Sequence, residues 1–186
     1  MSATMRSSCL PLRSVITGGP GTGKTTLLDA LAERGIATEP EIARGILRVP
    51  GGMSMRADQS VAFGEAMLAG EIAAFHRASG INGSVVFDRG LADTAGFFSL
   101  ERLYFSAQLD RACHELRYEG PIFRAPPWGE IYASDEQRIQ SWSQAVTSDR
   151  AVIAAWRHYG YDPIDLPLAP VAERAAFVLE RIGAAA

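Results

Sequence analysis

Two short stretches of the sequence contain residue types that can bind phosphate groups or lie beside them. The first, GGPGTGKTT, spans residues 18–26 and contains Lys24, whereas the other 17 of the 18 Lys and Arg residues are arginine. The second, VVFDRG, spans residues 85–90 and places an acidic residue directly after an apolar run. Glycine-rich backbone can turn its N–H groups inward at phosphate oxygens, and a compact ammonium enters such a loop where a forked guanidinium does not. These stretches therefore predict a phosphate-binding site with a carboxylate beside it.

The spacing of Gly18, Gly23, Lys24 and Thr25 matches the P-loop pattern G-x-x-x-x-G-K-[ST]. The match follows a predicted strand and begins a predicted helix, whose positive N-terminal end adds to the attraction for phosphate. We expect Lys24 to reach the β- and γ-phosphates of ATP and the Thr25 hydroxyl to coordinate Mg²⁺. The alternative is a glycine-rich turn before an ordinary helix. The predicted nucleotide-binding residues are Gly18, Gly19, Pro20, Gly21, Thr22, Gly23, Lys24, Thr25 and Thr26.

Asp88 and Arg89 come at the end of the apolar run SVVF, which reads as a buried parallel strand. A carboxylate there lies in the crevice where ligands of doubly wound sheets bind. Asp88 could hold Mg²⁺ through water or accept a proton from an attacking hydroxyl, and its alternative role is to cap the next helix. Arg89 suits an anionic substrate or the transferring phosphoryl group, and its alternative is a structural ion pair with Glu41. We therefore name Lys24, Asp88 and Arg89 as catalytic candidates.

Composition excludes several classes of protein. The chain of 186 residues is long enough for one domain, with 47% hydrophobic residues, a net charge of −3 and a pI near 5.6. The acidic balance argues against a broad nucleic-acid surface, and we expect no membrane span, no signal peptide and a cytoplasmic location. Cys9 and Cys113 predict two reduced thiols rather than a disulfide framework.

Strand-like and helix-like segments alternate along the chain, which predicts a mostly parallel sheet covered by helices on both faces. We expect one domain over residues 1–186, with residues 1–12 flexible and a lid at about 126–140. Strands are predicted at 14–17, 36–38, 84–87, 121–124 and 163–166, and helices at 24–34, 41–48, 57–79, 91–116, 135–158 and 171–182.

Taken together, GGPGTGKTTLLDAL, EPEIARGIL, VVFDRGLADT, APPWGEIYASDEQR and PVAERAAFVLERI resemble the AAA-type P-loop family that includes the NadR-like nicotinamide riboside kinase domain. The resemblance covers nearly the whole chain in order. It implies a three-layer α/β fold of nucleoside and nucleotide kinases, with a five-stranded parallel sheet in the order 2-3-1-4-5 and a lid segment. The Asp-Arg-Gly element is closer to nucleoside and thymidylate kinases than to nicotinamide riboside kinases.

The same resemblance implies residues for the acceptor side and the lid. Glu41 and Arg44 match a Glu-x-x-Arg segment of the acceptor side, although they could form only an i,i+3 surface pair. Asp135 and Arg138 match an Asp-x-x-Arg of the lid, where Arg138 would neutralise charge in the transition state; the alternative is a solvated helix with Asp135 at its start. Trp128 could stack on a base or cover the sheet edge. The loop at residues 166–170 corresponds to the segment that shelters adenine. The acceptor pocket itself stays open, because Gln59, Phe63, Phe98 and Tyr104 could line it or lie in the core.

The predicted function is a phosphotransferase that uses ATP and Mg²⁺ and acts on a small, nucleoside- or nucleotide-like acceptor. The alternative is a nucleotide-dependent ATPase or GTPase switch or binding module with slow hydrolysis. A third reading, a structural protein with a vestigial P-loop, conflicts with the intact Lys24–Thr25 pair. The sequence predicts no nucleic-acid partner and leaves the oligomeric state open.

Overall fold

A computed structural model describes residues 12–132 and 141–184, in which five parallel strands form one sheet. The spatial order is β2-β3-β1-β4-β5, and every neighbouring pair is parallel, so the predicted 2-3-1-4-5 order is confirmed. The strands are β1 (Leu12–Thr17), β2 (Ala37–Glu39), β3 (Ser84–Asp88), β4 (Ile122–Arg124) and β5 (Ile164–Asp165).

The strands β1 and β3 are buried on both faces, and each contains a run of apolar or β-branched residues. Val15, Ile16, Val85, Val86 and Phe87 are all buried. The register pairs Ile16 with Asp88, so β3 delivers its carboxylate beside the end of β1. The phosphate-binding loop and Asp88 therefore meet at the same edge of the sheet.

Helices cover both faces of the sheet and complete three layers. One core lies among α4, α5, α6 and α7, and the other lies among α1 and α8. Within the described residues the helices are α1 (Lys24–Ala32), α2 (Ile42–Arg48), α3 (Gly52–Asp58), α4 (Ser60–Ala78), α5 (Leu91–Leu100), α6 (Ala107–Glu115), α7 (Trp142–His158) and α8 (Val171–Arg181). None of these helices is long and apolar enough to cross a membrane.

Three predicted helix features differ in the structure. The predicted helix over 57–79 begins as two helices: Gly52 begins the short helix α3, and Gln59, whose φ of −137° and ψ of 53° are not helical, separates α3 from α4. The predicted helix over 91–116 is two helices, because Arg102 adopts a positive φ of 55° and the Ser106 side chain starts α6 by accepting from the Leu109 N–H.

The buried face of α4 also differs from the apolar face that helical spacing in the sequence predicts, which contains Val61, Leu68, Ile72 and Phe75. Val61 is 46% exposed, whereas Gly64, Leu68, Glu71 and Phe75 are buried. A Cβ on Gly64 would lie only 2.3 Å from Phe98 Cε2, so the glycine allows α4 to approach α5 closely. The helix therefore turns its glycine inward and leaves Val61 at the surface.

Candidate active site

The loop from Gly18 to Gly23 joins β1 to α1 and leaves no space for side chains at three of its glycines. Cβ atoms on Gly18 and Gly19 would lie 2.4 Å from the Ala125 carbonyl oxygen and 2.7 Å from the Ala145 carbonyl oxygen. Gly23 has a φ of 75° and occupies the N-cap position of α1. Close approach and left-handed backbone together explain why glycine is needed here.

Lys24 lies inside this loop and is buried. Its Nζ donates to the carbonyl oxygens of Gly19 at 2.7 Å and Gly18 at 3.2 Å. Burial, and then the positive charge of Arg89, lower the pKa of Lys24 to about 8. The surrounding loop includes the half-buried Pro20 and Gly21 and the buried Thr22, whereas Thr25 and Thr26 at the start of α1 are exposed.

Asp88 is 5% exposed at the end of β3, and its Oδ1 accepts no hydrogen bond from any described residue. Burial raises the pKa of this carboxyl, although the positive charge of Lys24 opposes the shift. Asp88 does not cap α5: the N-cap position is Gly90, and its N–H donates to Asp93 Oδ2 at 3.1 Å. A buried acceptor without a donor normally has a reason to remain in place, such as a ligand.

Arg89 connects three parts of the site from a strained backbone position. Its φ is 72°, a region that bulky side chains rarely adopt. Its Nε donates to Glu41 Oε1 at 2.9 Å, and its Nη1 donates to the Gly18 carbonyl oxygen at 2.9 Å and to Asp93 Oδ1 at 3.2 Å. The ion pair with Glu41, which the sequence offered as the alternative role, is thus present, and it lies in the site.

Glu41 and Arg44 are also an ion pair, with Arg44 Nη2 3.4 Å from Glu41 Oε2. Arg44 Nη1 additionally donates to Thr25 Oγ1 at 3.2 Å, so α2 contacts the first turn of α1 directly. Burial would raise the pKa of Glu41, but the positive charges of Arg89, Lys24 and Arg44 outweigh burial and lower it. Glu41 is therefore held as an anion at the edge of the cleft.

Of the residues predicted for the lid and the segment leading into it, Trp128, Asp135 and Arg138, the structure places Trp128 only. Trp128 is half-buried in the loop after β4, and its carbonyl oxygen accepts from the Tyr132 N–H at 3.1 Å. Tyr132 in turn contacts the Trp142 ring edge-on, with centroids 5.1 Å apart. Asp135 and Arg138 lie outside the described residues, as does most of the segment after Tyr132.

Asp93 is a central residue of the site that sequence reasoning missed. Its carboxylate is buried and accepts hydrogen bonds from Thr17 Oγ1 at 2.6 Å and Trp156 Nε1 at 3.0 Å, besides those from Gly90 and Arg89. Burial raises the pKa of Asp93, and hydrogen bonds and the charge of Arg89 oppose that change. The only signal in the sequence was an acidic residue four positions after Arg89 in an otherwise apolar helix start.

Glu71 and Arg174 are two further buried charged residues that the sequence did not single out. Glu71 is 3% exposed on α4, and its pKa is raised well above the ordinary value by burial and by the charges of Asp93, Asp88 and Glu41. Arg174 on α8 donates from Nη1 to the Thr22 carbonyl oxygen at 3.0 Å. Helical spacing alone assigned neither residue to the site.

Of the four residues that the sequence offered for the acceptor pocket, two are buried and two are exposed. Phe63 and Phe98 are buried in the core, whereas Tyr104 is 86% exposed. Gln59 is exposed at the break between α3 and α4. These four residues therefore do not line one pocket, because the side chains of Phe63 and Phe98 pack in the core.

The residues present fit Mg²⁺ and a nucleoside triphosphate. Mg²⁺ uses oxygen ligands and keeps several waters and phosphate oxygens, so one or two protein oxygens are sufficient. Asp88 Oδ1, which has no partner among the described residues, and Thr25 Oγ1 supply such oxygens, and the glycine loop supplies N–H groups for phosphate. No cluster of three or more His, Cys, Asp or Glu residues within 12–132 and 141–184 forms a cage of protein ligands alone.

Comparison with known proteins gives the family. A family model described as an AAA domain matches residues 13–174. The chain belongs to this AAA domain family. No curated protein matches the AAA domain chain.

Solved structures share the fold of this AAA domain at low sequence identity. Deoxyadenosine kinase from M. mycoides, solved with dATP or with deoxycytidine nucleotides, matches with a TM-score of 0.67 and 12% identity, covering 92% or 93% of this chain and 98% or 100% of that chain. NadR in complex with NR gives a TM-score of 0.69 at 18% identity over 95% of this chain and 53% of that chain. Thymidylate kinase from Candida albicans gives 0.60 at 9% identity, covering 94% and 92% of the two chains. The three-layer fold is thus that of nucleoside and nucleotide kinases.

Proposed function

We propose that this AAA domain is an ATP-dependent phosphotransferase that moves the γ-phosphate of ATP·Mg to a hydroxyl or phosphate of a small, nucleoside- or nucleotide-like acceptor. The observation that carries the proposal is the arrangement at the end of β3. There a buried carboxylate oxygen of Asp88 has no partner among the described residues and shares its surroundings with Lys24 and the glycine loop. A purely structural carboxylate would be paired.

On the nucleotide side, the N–H groups of residues 18–24 bind the β-phosphate and Lys24 binds the β- and γ-phosphates. Thr25 and Asp88 would hold Mg²⁺, Asp88 through water, and the bound ion would supply positive charge that offsets the charge of the phosphates. Lys24 must leave the Gly19 carbonyl oxygen, at 2.7 Å, to reach a phosphate. The loop therefore holds the Lys24 ammonium next to the position where we propose that the phosphates bind.

On the acceptor side, an acceptor oxygen attacks the γ-phosphorus, the bond from that phosphorus to the bridging oxygen breaks, and ADP leaves. Asp88 is the carboxylate available to accept the proton of an attacking hydroxyl, and its raised pKa favours that role. Arg89, which Glu41 and Asp93 hold in place, faces the developing charge. Arg138, in the lid, is the further cation that we assign to the transition state.

The acceptor class rests on the likeness in fold to kinases of nucleosides and nucleotides, since deoxyadenosine and thymidylate kinases match over almost their full lengths. Glu41, Arg44, Trp128 and Asp135 are the residues proposed to contact the acceptor. Two of them, Glu41 and Arg44, line the edge of the cleft next to Thr25. They are suited to a polar acceptor with hydroxyl groups.

The test measures ADP release from ATP·Mg with a panel of nucleosides, nucleoside monophosphates and nicotinamide riboside, each against a blank without acceptor. Asp88→Asn should keep nucleotide affinity and lose at least a hundredfold in turnover, whereas Lys24→Met should lose both. Asp162→Asn, an exposed acidic site outside the proposed active site, is the matched control. A slow rate that no acceptor increases would overturn the kinase assignment in favour of an NTPase switch or binding module.

A further inference from the structure

Arg174 is a buried cation without a counter-charge among the described residues. It is 4% exposed on α8, its Nε makes no hydrogen bond, and burial lowers its pKa. Arg13, which is buried to a similar degree, pairs with Glu119 at 2.7 Å. Arg89 likewise pairs with Glu41 and Asp93. Arg174 therefore differs from the other buried arginines in having no carboxylate beside it.

A solitary buried guanidinium is costly, because burial removes its hydration and no anion replaces it. The hydrogen bond that the Arg174 side chain makes within the described residues is to the phosphate-binding loop. Its Nη1 donates to the Thr22 carbonyl oxygen at 3.0 Å, and the same Nη1 lies 2.9 Å from the position that a Cβ on Gly23 would occupy. The positive charge is thus fixed against the last peptide unit of the loop.

That peptide unit joins the Thr22 carbonyl to the Gly23 N–H. A charged donor on a carbonyl oxygen polarises the whole peptide, so the N–H at its other end becomes a stronger donor. The Gly23 N–H donates to no group among the described residues. It precedes Lys24 at the N-terminus of α1, where loop N–H groups face an anion.

We propose that Arg174 is a positioning residue that strengthens phosphate binding through the Thr22–Gly23 peptide. Its counter-charge is the polyphosphate of the nucleotide. The inference rests on the nucleotide binding in the proposed function, but it does not depend on phosphoryl transfer or on the acceptor. It also gives Gly23 a second reason to be glycine, because a side chain there would displace the guanidinium.

The test compares the dissociation constants of ADP and adenosine in Arg174→Met, a neutral side chain of similar length, without any acceptor present. ADP affinity should fall about tenfold, which corresponds to about 1.4 kcal/mol, while adenosine affinity should stay unchanged. Inorganic tripolyphosphate should lose affinity by the same factor as ADP, since it carries the charge but no base. Arg181→Met, on the same helix and exposed, is the control and should bind all three ligands as the wild type does.

The melting temperature without ligand separates this role from a structural one. Removing an uncompensated buried charge should leave the melting temperature of Arg174→Met equal or higher, with a smaller rise on adding ADP. A lower melting temperature with unchanged ADP affinity would overturn the proposal. If the Met variant does not fold, Arg174→Lys decides, because an equal loss for ADP and adenosine in that variant would also overturn it. A protein that binds ADP with this dependence but transfers no phosphate would refute the kinase and leave this inference standing.

Discussion

At the scale of single residues, the ionisable groups of the site differ in whether they have partners. Arg89 and Asp93 have several hydrogen-bond partners each, whereas Asp88 Oδ1 accepts no hydrogen bond from a described residue, and Glu71 is buried near the carboxylates of Asp93, Asp88 and Glu41. Hydrogen bonds and ion pairs fix the geometry of the paired groups, and burial shifts the pKa of the carboxyl groups, whose protonation then changes with pH and with a bound ligand. The chemistry of the site is therefore accessible by titration.

Lys24 gives the first such prediction. Its pKa of about 8 in the free protein means that about half of the Lys24 side chains have lost their proton at pH 8. ADP affinity should weaken by about twofold between pH 7 and 8 and then by up to about tenfold per pH unit, because only the charged form attracts phosphate. Isothermal titration calorimetry from pH 7 to 9.5 measures this, with Lys24→Met as a control whose weaker affinity does not follow that slope. Constant wild-type affinity up to pH 9.5 would contradict the prediction.

Glu71 gives a prediction for stability. Because burial raises its pKa in the folded state, the folded protein keeps a proton that the unfolded chain releases above about pH 4.3. The wild type therefore loses stability as pH rises from that value towards the folded pKa. Glu71→Gln, which cannot ionise, should be at least about 1 kcal/mol more stable than the wild type at pH 8 and equal to it at pH 4. Urea unfolding at both pH values measures this, and Glu65→Gln on the exposed side of α4 should show no such difference.

Sequence reasoning located the residues that belong to a local pattern. Residues 18–26 form one contiguous motif. Asp88 follows a run of apolar residues that predicts a buried strand. Asp93, Glu71 and Arg174 were missed because their roles depend on which helix face turns inward and which loop lies opposite. Arg174 contacts Thr22 across 152 positions of sequence, and nothing in its local spacing encodes that contact.

At the scale of elements, the strand positions and order were predictable, whereas the packing of the helices was not. The strands read clearly because Val15 to Thr17 and Val85 to Phe87 are continuous apolar or β-branched runs. The prediction for the buried face of α4 was wrong because glycine lowers helix propensity and was not expected at a packing contact. In the structure, neighbouring side chains contact the helix at Gly64 and Gly70. Phe98 and Ile42 fill the space that larger residues would need.

The contact between α5 and α7 allows this point to be tested. A Cβ on Gly96 would lie 2.7 Å from the Cα of Val152, and a backbone atom cannot move aside as a flexible side chain can. Gly96→Ala should lower the free energy of unfolding by about 1 to 3 kcal/mol in spite of better helix propensity. Gly45→Ala on α2, where a Cβ would meet nothing within 4 Å, is the matched control and should be neutral or stabilising by up to about 1 kcal/mol. Urea unfolding measures both, and a Gly96→Ala variant as stable as the wild type would show that the two helices adjust.

At the scale of the whole molecule, the two cores share the central strands. Alternate residues of one strand point to opposite faces of a sheet, so Val15 belongs to the core of α4 to α7 while Ile16 belongs to the core of α1 and α8. Phe87 and Val86 on β3 divide in the same way. If the helices on one face of the sheet unfold, they expose that face of the same strands against which the helices of the other face pack.

We therefore predict that the chain unfolds in a single transition, as one domain over residues 1–186 would. Trp156 is buried in the core of α4 to α7, and replacing Trp128 and Trp142 by Phe leaves it as the sole tryptophan. Its fluorescence reports that core, while far-ultraviolet circular dichroism reports all the helices, including α1 and α8. The two urea curves should coincide, because the shared strands transmit the loss of either core to the other. Helical signal that persists after Trp156 becomes exposed would instead show that α1 and α8 form a separate cooperative unit, in which case the phosphate-binding loop would belong to a domain of its own.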